Sequence, residues 1–176
     1  NLGLYGNWNR CVELASGRYI AIYHDHDIYF PTILARSVAL LEKYPSAGFV
    51  HAASLIIAPD GRPAGLDIRS LPELTASRRM MQMIAGREES PVTAATAMVR
   101  REKYAAAGAY KYERYGIGCD RDMWFRLAKL GDVAYVAEPQ AFIRARDKGQ
   151  DTARFRWADA VGSLRILPNR SSTRKV

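Results

Sequence analysis

Apolar and polar positions recur along the chain with two different spacings, one typical of helices and one typical of strands. Apolar residues spaced for one helix face predict helices over Asn7–Ala15, Pro31–Tyr44, Pro72–Ala85 and Asp120–Gly131. Runs rich in β-branched and aromatic residues predict strands over Arg18–Tyr23, Gly48–Ile57, Val92–Arg101 and Val133–Pro139. Because helices and strands alternate, the pattern favours an α/β layered fold.

The composition is typical of one soluble globular domain. The chain has 176 residues, of which 48% are hydrophobic and 25% are charged, so it is long enough to bury a sizeable core. No apolar run approaches the length of a membrane span, and the first residues lack a signal-peptide pattern. The widely separated Cys11 and Cys119 form neither a disulfide framework nor a Cys-x-x-Cys pair, so a reducing compartment is expected.

The net charge of +8 is concentrated at the C-terminal end. Residues 144–176 carry nine Arg or Lys and three Asp, a net charge of +6. Such a tail is suited to anionic lipid, nucleic acid or a phosphorylated substrate, and a solvated end explains it equally well. Nucleic acid is not expected, because the sequence has no helix-turn-helix spacing, RNP-like motif or zinc finger.

The stretch YHDHDIYFP, residues 23–31, follows the first predicted strand and carries the strongest candidate chemistry. On a continuing strand, His24 and His26 share one face while Asp25 and Asp27 share the other. All four side chains meet only if the strand ends or bends there. The chemistry therefore depends on which face points into a site.

Each face predicts a different metal. Two imidazoles suit zinc, which needs three or four protein ligands, and the remaining histidine, His51, lies on a different predicted strand. Two carboxylates suit Mg²⁺ or Mn²⁺, which bind oxygen ligands together with substrate phosphates. An Asp-x-Asp at the carboxyl end of a strand also lies where open α/β sheets bind ligands.

A second acidic pair, Asp120 and Asp122, begins the last predicted helix. Carboxylates in the first helical turn cap the backbone N–H groups and complement the helix dipole, and this alone explains both residues. The functional alternative is that one of them is a general base at the mouth of a cleft.

The order of these motifs resembles the family 2 glycosyltransferases of the GT-A fold, which are inverting enzymes that use nucleotide-sugars. Four segments carry the resemblance: residues 1–31, ending in YHDHDIYFP; 40–50, LLEKYPSAGFV; 90–110, SPVTAATAMVRREKYAAAGAY; and 119–146, CDRDMWFRLAKLGDVAYVAEPQAFIRAR. The resemblance implies a GT-A-like (Rossmann-like) α/β fold, a mixed sheet flanked by helices. It covers residues 1–146 and leaves residues 147–176 as the basic C-terminal tail.

The resemblance also implies a metal and diphosphate site. Asp27, together with Asp25, takes the place of the family's metal-binding aspartates, with Mg²⁺ or Mn²⁺ as the cofactor. Many relatives carry two adjacent aspartates where this chain has His26 and Asp27, so His26 is a further candidate ligand. Arg144 and Arg146 are candidates to bind the diphosphate, because guanidinium groups match phosphate geometry.

The last block implies the acid–base chemistry. Asp120 takes the place of the family's catalytic base, which deprotonates the acceptor hydroxyl. Asp122 and Trp124 match the same block and are candidate acceptor-binding residues. The family's usual Glu before the base is Cys119 here.

The front of the chain departs from the family, because the first strands, which hold the nucleotide, have no counterpart before Asn1. We expect a fragment that binds a nucleotide poorly. The implied partners are a nucleoside-diphosphate sugar and a glycan or lipid-linked acceptor in bacterial surface glycan synthesis. The implied location is cytoplasmic and peripheral at the inner face of the membrane. The alternative hypothesis is a basic, non-catalytic module that contacts anionic lipid or nucleic acid.

Overall fold

The computed structural model describes residues 2–86 and 90–145. In these residues six helices are formed: α1 (Gly3–Leu14), α2 (Ile33–Lys43), α3 (Ser77–Gly86), α4 (Arg101–Ala107), α5 (Tyr112–Tyr115) and α6 (Cys119–Lys129). Nine strands accompany them: β1 (Tyr19–Ala21), β2 (Ile28–Tyr29), β3 (Ala47–Ala52), β4 (Ser54–Ile57), β5 (Pro63–Asp67), β6 (Leu74–Thr75), β7 (Met98–Arg100), β8 (Asp132–Val136) and β9 (Ala141–Arg144). The basic tail lies outside the described residues.

The strands form two mixed sheets, which confirms the predicted α/β class. The larger sheet has the order β1-β7-β3-β8-β6, with β3 and β8 parallel and the other pairs antiparallel. The smaller sheet has the order β2-β9-β4-β5, with β4 and β9 parallel. Helices α1, α2 and α6 confirm the helices predicted in those regions, within a few residues at their ends.

The chain crosses from the larger to the smaller sheet at Ala53. The prediction of one strand over Gly48–Ile57 is wrong, because this segment contains both β3 and β4. The backbone N–H of Ala53 donates to Val136 at 2.9 Å, and its carbonyl accepts from Gln140 at 3.0 Å, so the residue is fixed between the sheets. A second crossing connects β1 to β2. The two crossings join the same pair of sheets.

Two other predicted boundaries are wrong for reasons of pairing. The helix predicted over Pro72–Ala85 begins only at Ser77, because the residues before it form β6 against β8. The strand predicted over Val92–Arg101 is reduced to β7, and a 3-10 turn over Ala94–Thr96 precedes it. Strands β2, β5 and β9 lie in segments for which no strand was predicted.

The larger sheet is covered on both faces. One face packs against α1, α3 and α6, and the other packs against α2. The buried residues of the first layer include Trp8, Phe49, Met80, Val99, Met123, Trp124, Leu127 and Val133. Those of the second layer include Leu41, Val50, Met98 and Ala134.

Gly131 lets α6 approach the sheet closely. A Cβ atom at this position would lie 2.7 Å from the carbonyl oxygen of Ser46 and 2.8 Å from the backbone nitrogen of Gly48. Any side chain would therefore push the end of α6 away from β3. The position of α6 matters because its first turn carries Asp120 and Asp122.

Candidate active site

Strand β1 ends at Ala21, before the histidines and aspartates begin. Its partner β7 starts at Met98, which pairs with Ala21, so β7 does not continue beside the residues that follow. The chain turns through residues 24–27, where the N–H of Asp27 donates to the carbonyl of His24 at 3.4 Å. Strand β2 then joins the smaller sheet. The motif is thus the crossing turn between the two sheets.

The turn gathers three side chains that strand alternation would separate. His24, His26 and Asp27 each offer one ligand atom, and these atoms all lie within 4.8 Å of one another. Alternation does not apply, because the strand ends before these residues. The sequence predicted either a histidine face or an aspartate face. The structure instead combines two imidazoles with one carboxylate. The polar run directly after the short apolar strand was the available signal of a turn.

Asp27 is the buried centre of this cluster. Its side chain is fully buried, and Oδ1 accepts a hydrogen bond from the backbone N–H of Arg144 at 2.9 Å. Oδ2 lies 3.4 Å from Nδ1 of His24, but it has no hydrogen-bond partner of normal geometry in the described part of the chain. A buried carboxylate is stabilised by hydrogen-bond donors, by a paired charge or by a metal ion. The Asp27 side chain therefore fits a cation.

His26 and Asp25 lie at the open side of the cluster. Nε2 of His26 is 3.9 Å from Oδ1 of Asp27, while its Nδ1 is 3.2 Å from the carboxylate of Asp25. The side chain of Asp25 is fully exposed and is not a member of the three-residue cluster. Its role as a metal ligand stays a prediction.

Three aromatic rings are stacked behind the turn. The rings of Trp8 and His24 lie 5.5 Å apart and 11° from parallel, and those of His24 and His26 lie 5.5 Å apart at 22°. Trp8 also meets the ring of Tyr110 edge-on, at 5.3 Å and 67°. Through Trp8, helix α1 thus contacts both the turn and the Tyr110 loop.

Tyr29 supports the turn from its second side. Its hydroxyl accepts the backbone N–H of His24 at 2.8 Å, and its ring stacks on Tyr23 at 4.2 Å. Burial raises the pKa of Tyr29 to about 12, and the nearby charge of Asp27 acts in the same direction. The phenol therefore stays neutral beside the carboxylate at physiological pH.

Arg144 connects the turn to the β4–β5 hairpin. Its Nε donates to the carbonyl of His26 at 3.2 Å, and its Nη1 donates to the carbonyls of Ala58 at 3.3 Å and Pro59 at 3.0 Å. The backbone N–H of Arg144 also donates to Asp27, so Arg144 positions the cluster with both its backbone and its side chain. Its contact with a diphosphate stays a prediction. Arg146 lies outside the described residues.

The first turn of α6 holds Asp120 next to Tyr110 and Cys119. Oδ1 of Asp120 accepts the N–H of Arg121 at 2.6 Å. Burial, with the charge of Asp120 acting in the same direction, raises the pKa of Cys119 to about 12, so this thiol stays protonated. Burial and the Tyr104 hydroxyl, followed by the charge of Asp120, raise the pKa of Tyr110 well above its usual value. A relay of neighbours therefore runs from His24 through Trp8 and Tyr110 to Asp120.

Asp122 fixes the loop that carries Tyr110. Its Oδ2 accepts from Arg126 at 2.8 Å and 2.6 Å, and both side chains are largely buried. Arg126 also donates to the carbonyls of Ala107, Gly108 and Ala109. This arrangement fixes the loop to α6, so Asp122 acts as a positioning residue in the structure.

Trp124 lies beneath this loop, in the core. Its side chain is 2% exposed, and its ring packs against Phe49 with a centroid distance of 5.4 Å. The acceptor-binding roles of Asp122 and Trp124 both stay predictions.

Replacing Asp122 by alanine is expected to destabilise the fold by about 3 kcal/mol, because removing one partner leaves the buried charge of Arg126 without its counterion. The measurement is the free energy of unfolding in urea. The matched control is Glu13→Ala, which removes the exposed ion pair with Arg10 and should change stability far less. Equal changes in the two variants would contradict a stabilising role for the Asp122–Arg126 pair.

His51 does not belong to the cluster. It is fully buried on β3, where its ring lies 4.8 Å from that of Tyr135. Burial, assisted by the charge of Arg69, lowers the pKa of His51 to about 3, so the imidazole is neutral. It is a packed strand residue.

Residues 1–107 of the chain match the family described as Glycosyl transferase family 2. The chain belongs to this family. The matched segment spans more than half of the sequence and includes the whole His24–His26–Asp27 cluster. The family supports a role in glycosyl transfer. Asp120 lies beyond the matched segment, so its assignment depends on the motif and the geometry.

Two known proteins are similar to this chain. EpsE of Bacillus subtilis (strain 168), described as a glycosyltransferase, is 28% identical over 148 residues, which cover 84% of this chain and 50% of EpsE. The crystal structure of S. aureus TarS 1-349 matches with a TM-score of 0.58 and 14% identity, covering 82% of this chain and 41% of TarS. The second likeness shows the fold, which is GT-A-like. The chain thus spans half or less of the length of these relatives.

None of the helices among the described residues is long and apolar enough to cross a membrane.

Proposed function

We propose that this family 2 chain forms the catalytic part of an inverting transferase, which moves a sugar from a nucleoside diphosphate to an acceptor hydroxyl. The observation that carries the proposal is the series of contacts that connects the two acidic motifs. His24 stacks on Trp8, Trp8 meets Tyr110 edge-on, and Tyr110 lies within the electrostatic influence of Asp120.

The cluster fits a divalent metal. Asp27 presents a buried carboxylate oxygen without a hydrogen-bond partner in the described chain, and two imidazoles lie beside it. His24, His26 and Asp27 would hold the ion, which we propose to be Mg²⁺ or Mn²⁺. When bound, such an ion neutralises the charge that develops on the departing diphosphate. Arg144 and Trp8 keep the ligands in place from behind.

Asp120 is the proposed general base. It accepts the proton of the acceptor hydroxyl as the oxygen attacks the anomeric carbon. The next carboxylate, that of Asp122, is paired with Arg126 and is therefore not available as a nucleophile. One base without a partner nucleophile favours a single displacement, which inverts the anomeric configuration.

A cleft that includes Tyr5 and Tyr110 is the proposed path of the acceptor. It has a volume of about 400 Å³ and lies between α1 and residues 110–114. Tyr5 and Tyr112 stack there at 5.3 Å, and Tyr112 is half exposed. Tyr5 also lies within hydrogen-bond reach of the Cys119 thiol, beside Asp120. Aromatic rings with a polar edge suit a partly apolar, partly hydroxylated ligand such as a glycan.

The wider setting follows the family resemblance. We propose a glycan or lipid-linked acceptor in bacterial surface glycan synthesis, with the reaction on the cytoplasmic side of the membrane. The basic segment 147–176 would attract anionic lipid there, since each basic residue near such a surface contributes about 1 kcal/mol.

The test is turnover of UDP- and GDP-sugars by the full-length protein with Mn²⁺ or Mg²⁺ present. We expect acceptor-dependent release of the nucleoside diphosphate, product of inverted anomeric configuration, and loss of release with a chelator. Suppose instead that no donor turns over, while DNA or anionic vesicles bind with steep salt dependence. The alternative, a basic non-catalytic binding module, would then replace this proposal.

A further inference from the structure

We propose that His24 is a third metal ligand, held in place by Trp8, and that the cluster therefore selects first-row transition ions over Mg²⁺. The inference rests on the proposed metal site. It concerns the identity of the ion and can be tested by binding alone, without any sugar transfer.

The geometry supports one ion shared by His24, His26 and Asp27. Their ligand atoms lie within 4.8 Å of one another. Bonds of about 2.1 Å allow two ligands of one ion to be at most about 4.2 Å apart. The side chain of His26 is about half exposed, so a small movement of its ring closes the difference. Asp27 needs no movement, because the N–H of Arg144 already orients its carboxylate.

The donor set determines the preference. Mg²⁺ demands oxygen ligands in an octahedron and retains its waters, so two imidazole nitrogens are poor partners for it. Mn²⁺, Co²⁺ and Zn²⁺ accept imidazole, and their affinity for such a site rises in the order Mn²⁺, Co²⁺, Zn²⁺. A single carboxylate also leaves the bound ion with a net positive charge, which suits a diphosphate.

Trp8 and Tyr29 preorganise His24. The indole of Trp8 lies nearly parallel to the imidazole, at 11°, and the Tyr29 hydroxyl accepts the backbone N–H of the same residue. The ring and the backbone of His24 are thus held separately. Partners of this kind, behind a ligand, typically change metal affinity by about 10–100-fold.

The experiment titrates the full chain with each metal alone, using calorimetry and the quenching of tryptophan fluorescence by Mn²⁺ or Co²⁺. We expect Mn²⁺ to bind at least about tenfold more tightly than Mg²⁺, with Zn²⁺ tighter still. His24→Asp should reduce the ratio of Mn²⁺ to Mg²⁺ affinity to within about threefold. Trp8→Ala should weaken Mn²⁺ binding about tenfold, whereas Trp8→Phe should retain most of it. Asp60→Asn, in an exposed turn, serves as the unaffected control.

Each variant is first compared with the parent chain by circular dichroism and melting temperature, so that loss of folding is recognised. Equal affinities for Mg²⁺ and Mn²⁺, or an unchanged metal preference in a folded His24→Asp variant, would overturn the inference. Metal-dependent sugar transfer could still hold in that case. Conversely, transition-metal selectivity in a protein that turns over no donor would refute the proposed function and leave the inference standing.

Discussion

Asp120→Asn is expected to lower sugar transfer by about 10²–10⁴-fold, which is the usual contribution of a positioned general base. The amide keeps the size of the side chain and an oxygen to accept the N–H of Arg121, so the first turn of α6 should remain intact. The amide side chain, however, cannot accept a proton. We expect the loss in kcat at saturating donor and acceptor, with metal affinity unchanged.

Glu102→Gln is the matched control for this variant. Glu102 lies in the first turn of α4, as Asp120 does in α6, so both substitutions remove a charge that complements a helix dipole. The control should retain full turnover. If Asp120→Asn were as active as Glu102→Gln, both carboxylates would only stabilise their helices. The assignment of Asp120 as the base would then be wrong.

Asp27→Asn is expected to weaken metal binding by at least about 100-fold and to lower turnover by about 10²–10³-fold, because an ion worth several kcal/mol in the transition state is lost. The amide oxygen still accepts the N–H of Arg144, so the turn should keep its shape. Without the carboxylate charge, the two imidazoles bind a cation only weakly. Calorimetric titration with Mn²⁺ and steady-state kinetics measure the two effects.

Raising the metal concentration separates Asp27 from Asp120. Excess Mn²⁺ should partly restore the Asp27→Asn variant, because its defect is in binding, whereas it should leave Asp120→Asn unchanged. Asp60→Asn, which removes an exposed carboxylate in a turn, is the control for both measurements. Unaltered Mn²⁺ affinity in a folded Asp27→Asn variant would remove Asp27 from the metal site.

The contacts of Arg144 and Asp122 change how these variants should be interpreted. Both residues were predicted to contact substrate, and in the structure both hold other groups in place. The guanidinium of Arg144 donates to three backbone carbonyls around the turn, and Asp122 accepts from Arg126, which fixes the Tyr110 loop. Substitutions at either position are therefore expected to affect stability and geometry together with activity, which makes them poor tests of chemistry.

The α/β class and helices α1, α2 and α6 were predictable from the sequence, because each helix is specified by its own apolar spacing and flanking residues. The same is true of the carboxylates in the first turn of α6. The family resemblance depends on motifs that are likewise continuous in sequence. Residues close together in the sequence were sufficient to predict these features.

Pairing between distant strands decided the rest. The pairing of β1 with β7 ends at Ala21 and Met98, and this non-local limit leaves the polar motif as a turn. In the same way, hydrogen bonds from Ala53 to Val136 and from Gln140 to Ala53 divide a continuous apolar run between two sheets. The sequence by itself determined which side chains carry the candidate chemistry. The tertiary structure decided that His24 joins Asp27, because the end of a strand depends on its partner.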